Sequence, residues 1–237
     1  MRINTEKCVG CGSCVPYCPV HALSVVDRKA CCDQKLCTEC NACYRSPACR
    51  FGGLEPAKLD WPRTVRSLLS DVFTEYCGVA GRGTEEMKTN DVTGRFKHGE
   101  IGLAIEFGRP NVGSTFRDVQ KMSRRMAQMG GKFEEKNPVT HYMNPETGDF
   151  PEELLDEYVI SAIIEVSFPL ERLTEVLAAI REVSEQIDAV FSLDIVTKLR
   201  DDGSNPVREI LDREGIFYRP NCKINVGLGK PAYDFSK

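Results

Sequence analysis

The cysteines constrain this chain more than any other feature. Of 12 cysteines in 237 residues, ten lie between Cys8 and Cys49. The first run, Cys8-Val-Gly-Cys11-Gly-Ser-Cys14-Val-Pro-Tyr-Cys18-Pro19, has the form C-x2-C-x2-C-x3-C-P. Three thiolates at this spacing can wrap one iron–sulfur cluster, while the fourth turns toward a second cluster. Gly10 and Gly12 let the backbone close tightly around it. The second run is Cys37-Thr-Glu-Cys40-Asn-Ala-Cys43, followed by Cys49. A disulfide framework would need an oxidising compartment, and the opening MRINTEKC has no basic start followed by an apolar stretch to direct export. Zinc would need two independent tetrahedral sites, for which the triple C-x2-C-x2-C is poor geometry.

Over about residues 1–55 the sequence resembles the two-cluster bacterial ferredoxins. The resemblance implies two 4Fe–4S clusters with reciprocal ligation. One would take Cys8, Cys11, Cys14 and Cys49, and the other Cys37, Cys40, Cys43 and Cys18. Two departures stand out. The last gap, Cys43 to Cys49, is longer than three residues and Arg50 replaces the usual proline. The pair Cys31-Cys32 occupies a place where the family carries an apolar or acidic residue. It reads either as small packing thiols or as an alternative ligand or redox thiol. His21 reads as a packing residue.

Charge adds a hint. Residues 1–60 hold eight Lys/Arg and six Asp/Glu, and each oxidised cluster with its thiolates adds about −2. The loaded domain is then only mildly acidic, as suits a docked module better than a freely diffusing carrier. The whole chain has net charge −4, which argues against a nucleic-acid binder. No run of 18 apolar residues exists to span a membrane, so a cytoplasmic protein is expected.

The expected domains are 1–57, the cluster domain; 58–99, a bridging helix and Gly-rich loop; 100–200, an α+β unit; and 201–237, an extension. Trp61-Pro62 reads as a helix start, with Val65, Leu68, Leu69, Val72, Phe73 and Tyr76 on one face and Cys77 at its end. The stretch 78–99 contains five glycines and reads as a solvated loop or an anion-binding lid, with Arg82, Lys88, Arg95, Lys97 and His98 as its cations. Beyond it, alternation at Ile101, Leu103, Ile105 and Phe107 predicts a strand. A helix is predicted over 115–129, strands near 132–137, 158–168 and 190–198, and a second helix after Pro169. This β-α-β-β-α-β order predicts a ferredoxin-like sandwich of four antiparallel strands under two helices. The tail is predicted to hold a helix near 206–214 and a strand from Gly215; Gly227-Leu-Gly229-Lys230 reads as a plain turn and Cys222 as a lone thiol.

The turn Gly108-Arg109-Pro110-Asn111-Val112-Gly113 resembles the Pro-Gly turn of ACT-type regulatory domains. That resemblance implies a small anionic ligand near Arg109, Gly113 and Ser114, held by free N–H groups at a helix start. The 138–155 insertion departs from that family's tight hairpin. Arg117, Lys121 and Arg124 form a basic helix face suited to an acidic partner. The C-terminal sheet also offers an edge for a second copy.

Two functions follow. One is an electron carrier, or the electron-transfer subunit of a low-potential anaerobic reductase, working with redox partner proteins. The other is a redox- or ligand-sensing regulator. Histidines occur only at 21, 98 and 141, and no catalytic constellation is apparent, so the chain is read as lacking substrate chemistry of its own.

Overall fold

A computed structural model describes residues 1–75, 94–108 and 113–219. The N-terminal unit is small and closed by its own ends. Strand β1 (Arg2–Ile3) pairs antiparallel with β4 (Leu54–Glu55), which brings residue 2 opposite residue 55. Between them lies the hairpin β2 (Leu23–Val26) and β3 (Lys29–Cys32). Its turn residues Asp27 and Arg28 both have positive φ, the geometry of the tight hairpin turns that match strand twist. The turn reaches back to the first cysteine run: a Cβ on Gly10 (φ +71°) would fall 2.1 Å from the Arg28 carbonyl oxygen. Only glycine fits there. A short helix α1 (Ala42–Arg45) follows the second run.

The C-terminal unit is built on a four-stranded antiparallel sheet. Its members are β5 (Glu100–Phe107), β7 (Lys132–Phe133), β9 (Ala162–Pro169) and β10 (Phe191–Thr197), in the spatial order β10-β5-β9-β7. Leu103 lies opposite both Ile195 and Val166, and Ile105 opposite Leu193 and Ile164. One side chain in two therefore meets helices α3 (Phe116–Gln128) and α4 (Leu173–Ser184). Helix α3 presents Phe116, Val119, Met122 and Met126, spaced three and four apart, to the common core. Its N-cap, Thr115, accepts from the Asp118 N–H. A minor pair, β6 (Ser114–Thr115) with β8 (Tyr158–Val159), and helix α5 (Pro206–Arg213) complete the unit.

Several expectations need correction. The strand predicted over 158–168 is two strands, broken where the Ile160 N–H turns away to the Ser70 hydroxyl at 2.9 Å. The bridging helix, α2, runs only over Thr64–Ser70. Asp71 stops it: its carboxylate accepts from the Phe73 N–H at 2.9 Å, and Phe73 ends 75% exposed. Tyr76, Cys77, Arg82 and Lys88 lie outside the described residues, as do Arg109, Cys222, Gly227 and Lys230. No strand forms at 215–219; Ile216 and Tyr218 pack singly against the core. His21 is exposed with positive φ, not a packing residue. The basic face of α3 is neutralised, since Arg117 pairs with Asp156, Lys121 with Asp118 and Arg124 with Asp149. Arg95 pairs with the buried Glu134.

Helix α2 ties the two units together. Val65, Leu68 and Leu69 belong to the C-terminal core. The opposite side carries Arg66, only 5% exposed. Its Nη1 donates to the carbonyls of Gln34 (3.1 Å), Lys35 (2.8 Å) and Cys37 (2.8 Å), and its Nε pairs with Glu157. Arg63 donates to Glu39 Oε1 at 2.8 Å and to Gln34 O and Oε1, each at 2.9 Å. Asp71 accepts from Asn41 at 2.9 Å and from Arg45 at 3.0 Å.

Removing one member of a buried, hydrogen-bonded ion pair leaves the other charge uncompensated, at a cost of about 3–5 kcal/mol. Arg66→Met is expected to lose that much in urea unfolding. Arg117→Ala, which breaks an exposed pair, should lose far less. Equal losses would contradict the clamp. Asp71 gives a pH test. Burial opposes its charge, but hydrogen bonds from Arg45, Asn41 and the Phe73 N–H more than offset it and hold the carboxyl below its usual range. Such a group stabilises the fold above its unfolded pKa of about 3.9 and loses that contribution as pH falls through the lower folded value. The stability gap between wild type and Asp71→Asn, at matched iron content, should therefore be full near pH 6 and shrink below about pH 4. A gap that does not change with pH would rule out that role.

Candidate metal centre

The ten cysteines between 8 and 49 do not sit together. Nine of them line two cavities, and Cys31, exposed on β3, lines neither. Cys8, Cys11, Cys14 and Cys49 line the first, with Val9, Ala30 and Phe51 around them. Cys18, Cys37, Cys40 and Cys43 line the second, with Cys32, Thr38 and Asn41. Each motif thus sends three thiols to one cavity and its last to the other. The crossing follows from the local backbone. A one-turn 3-10 helix at Val15–Tyr17 carries Cys18 away from Cys14, while β4, paired to β1, returns Cys49 beside Cys8. Among the described residues no three Cys, His, Asp or Glu side chains group as a single ion would require; the thiols instead ring open space.

Backbone N–H groups already point at four-thiol sets. Ala30 N–H donates to Cys8 Sγ (3.3 Å), Gly53 N–H to Cys49 Sγ (3.2 Å) and Ala22 N–H to Cys18 Sγ (3.1 Å). At Gly53 a Cβ would approach Cys8 Cα to 3.1 Å, so the glycine keeps the first cavity's wall close. The Met1 amino group lies 3.6 Å from Cys37 Sγ. It also pairs with Glu39, whose charge burial disfavours but which Met1 and Arg63 together hold below the usual carboxylate range.

The thiols' acidities report the same grouping. Burial pushes Cys14 up, reinforced by the charges of Cys49, Cys11 and Cys8. Burial pushes Cys40 up, with Cys37 and Cys18 adding to it, and Cys43 up to about 12, with Cys40, Cys37 and Cys18 adding. Cys11, at the exposed edge, is lowered by hydrogen bonds from Ser13. Cys32 and Cys37 share a hydrogen bond that lowers Cys37 and raises Cys32. Four thiols gathered in one cavity repel one another once ionised, and cationic iron would remove that conflict. Thr38 adds a second sign of fit. Its hydroxyl is buried beside Cys40 without a well-aligned hydrogen-bond partner, a state that costs about 1–3 kcal/mol unless something in the cavity accepts from it. All-thiolate donors, a ring geometry and a buried hydroxyl beside a ligand sulfur suit a 4Fe–4S cluster.

The other candidate site fares differently. Arg109 lies outside the described residues. Gly113 has φ +71° and packs on the Tyr158 ring, where a Cβ would come to 2.6 Å. Ser114 is buried in β6, with its hydroxyl donating to the Thr115 carbonyl at 3.1 Å. The N–H groups expected to be free at the start of α3 are engaged: Phe116 to Glu157 O (3.2 Å), Arg117 to Leu155 O (2.9 Å) and Asp118 to Thr115 Oγ1 (3.4 Å). Sequence reasoning missed Thr38, Arg63, Arg66 and Glu39. Cys32 was visible as an extra thiol, but only the hairpin register, with Cys32 opposite Leu23, puts it at the second cavity.

Known proteins resemble the N-terminal part of the chain. The 4Fe-4S binding domain family matches residues 1–24. Ferredoxin Fdx2 of Sorangium cellulosum is 46% identical over 46 residues, which are 19% of this chain and 46% of that protein. An uncharacterized ferredoxin-like protein of Haemophilus influenzae is 44% identical over 46 residues, 19% of this chain and 54% of the relative. The chain thus spans about half the length of these two. Ferredoxin-3 of Chlorobaculum tepidum is 44% identical over 45 residues, 19% of this chain and 73% of the relative. No solved structure matches the chain. With 44% identity over 73% of that last relative, the chain belongs to the ferredoxins and carries a 4Fe–4S binding domain at its N-terminus.

Proposed function

We propose that the protein is an electron-transfer module carrying two 4Fe–4S clusters. One is held by Cys8, Cys11, Cys14 and Cys49, the other by Cys37, Cys40, Cys43 and Cys18. The observation that carries this reading is the crossed division of eight thiols between two cavities. A cluster bound in either cavity supplies one-electron redox chemistry. The protein's own contribution is to aim four thiolates, supply N–H donors to their sulfurs and exclude water.

The two sites are placed for different roles. The first reaches the surface, with Cys11 exposed and Val9 and Phe51 each about half exposed at its rim. Such an apolar, accessible edge suits brief contact with a redox partner. The second lies against the C-terminal unit through Arg66, Arg63 and Asp71. We read that unit, with its split β-α-β order, as a ferredoxin-like sandwich that anchors the second site and presents the module to a larger assembly.

The crossing makes a sharp prediction. Cys18→Ala, made and purified anaerobically, should lose the paramagnetic signal of the cluster at Cys37, Cys40 and Cys43 and keep the other. Cys49→Ala should do the reverse. If Cys18→Ala removes the same signal as Cys11→Ser, the reading fails.

A further inference from the structure

The lining of the second cavity includes four side-chain donors that the eight-thiol pattern does not call for; Asn41 already donates to Asp71 and Tyr17 is about half exposed, which leaves Cys32 and Thr38 facing the thiols. Cys32, at the end of β3, lines the cavity as a ninth thiol next to Cys37, whose acidity it shifts, and its Sγ also lies 4.0 Å from the Asp33 carbonyl. Its backbone is pinned, because its carbonyl accepts from Gln34 Nε2 at 3.2 Å while Gln34 is itself held by Arg63. Thr38 lines the same cavity, 1% exposed, with a hydroxyl that has no well-aligned partner and lies beside Cys40. The lining of the first cavity is otherwise alanine, valine, leucine, phenylalanine and glycine. Its one hydroxyl donor, from Ser13, reaches Cys11 at the exposed edge.

We propose that Thr38 and Cys32 are potential-setting residues of the second cluster, which donate O–H and S–H hydrogen bonds to its cysteine sulfurs and favour its reduced form. The inference rests on the two-cluster reading above. The physical reason is charge. Reduction adds one negative charge that is shared with the ligand sulfurs, and a hydrogen bond strengthens as its acceptor becomes more negative. Donors to sulfur therefore stabilise the reduced state more than the oxidised one. The hydroxyl is the stronger donor and the thiol the weaker, so Thr38 carries the larger share. Burial enlarges both effects, because water does not compete for the sulfurs. The Met1 amino group also faces Cys37 and is unchanged in the variants below.

The test is a potentiometric titration of the anaerobically purified full chain followed by electron paramagnetic resonance. The second cluster is identified as the signal that survives Cys11→Ser. Thr38→Val, nearly the same shape without the hydroxyl, should shift that cluster's reduced-to-oxidised ratio about tenfold toward oxidised at fixed potential, or about 59 mV downward for a one-electron couple. Cys32→Ala should shift it about threefold in the same direction. Thr38→Ser, which keeps the donor, should stay at the wild-type value, and the first cluster should not move in any of the three. Unchanged potentials in Thr38→Val and Cys32→Ala, with both signals present, would overturn the inference and leave the two-cluster reading intact. If Thr38→Val does not load iron, Cys32→Ala alone decides. A single signal in the wild type would overturn both.

Discussion

The Arg66 guanidinium is the contact on which the arrangement of the whole chain depends. It is buried, and it donates to three consecutive-turn carbonyls of the segment that enters the second cysteine run, the last of them Cys37 itself. Its remaining face pairs with Glu157 of the C-terminal unit. A buried cation is tolerated only when its donors are satisfied and its charge is met, and here the carbonyls and the carboxylate come from different units. Folding of one unit therefore fixes the position of the other. Arg63 and Asp71, on either side, extend the same seam with charged hydrogen bonds.

This seam makes the two cysteine-lined cavities unequal. The thiols at 37, 40 and 43 sit on backbone that is held against α2. Those at 8, 11 and 14 sit on a loop shaped mainly by Gly10, the hairpin turn and the Lys29 ammonium, which donates to the carbonyls of Thr5 and Cys8 at 2.8 and 2.6 Å. Ligands whose positions are fixed in advance do not need to rearrange when charge changes. One cavity is thus accessible and the other anchored.

The sequence makes some of this plain and hides the rest, for physical reasons. Cysteine spacing is local, so the two runs stand out in the order of residues 8 to 49, while the division of eight thiols is what the resemblance to two-cluster ferredoxins implies. The alternation Ile101, Leu103, Ile105, Phe107 announces β5, and the three-and-four spacing from Phe116 to Met126 announces α3, because each needs only its own neighbours in sequence. The end of α2 was not legible. Val72 and Phe73 continue the apolar period, but Asp71, bound to Arg45 and Asn41 some thirty residues earlier, draws the chain out of the helix. Nor was the role of Arg66, whose partners lie 29 to 91 residues away. The missing strand after Gly215 has the same origin: an apolar triplet forms a strand only when an edge is there to pair with.

Two complete clusters per chain, each with ligands from both cysteine runs, would fix the iron and sulfide content of every molecule. Native mass spectrometry of the anaerobically purified chain tests it most directly, since it weighs the iron and sulfide retained by each molecule. The account predicts a dominant species carrying two Fe4S4 units, converting to one with a single unit in Cys18→Ala. A fully loaded wild-type species carrying one Fe4S4 unit, or two zinc ions, would contradict it.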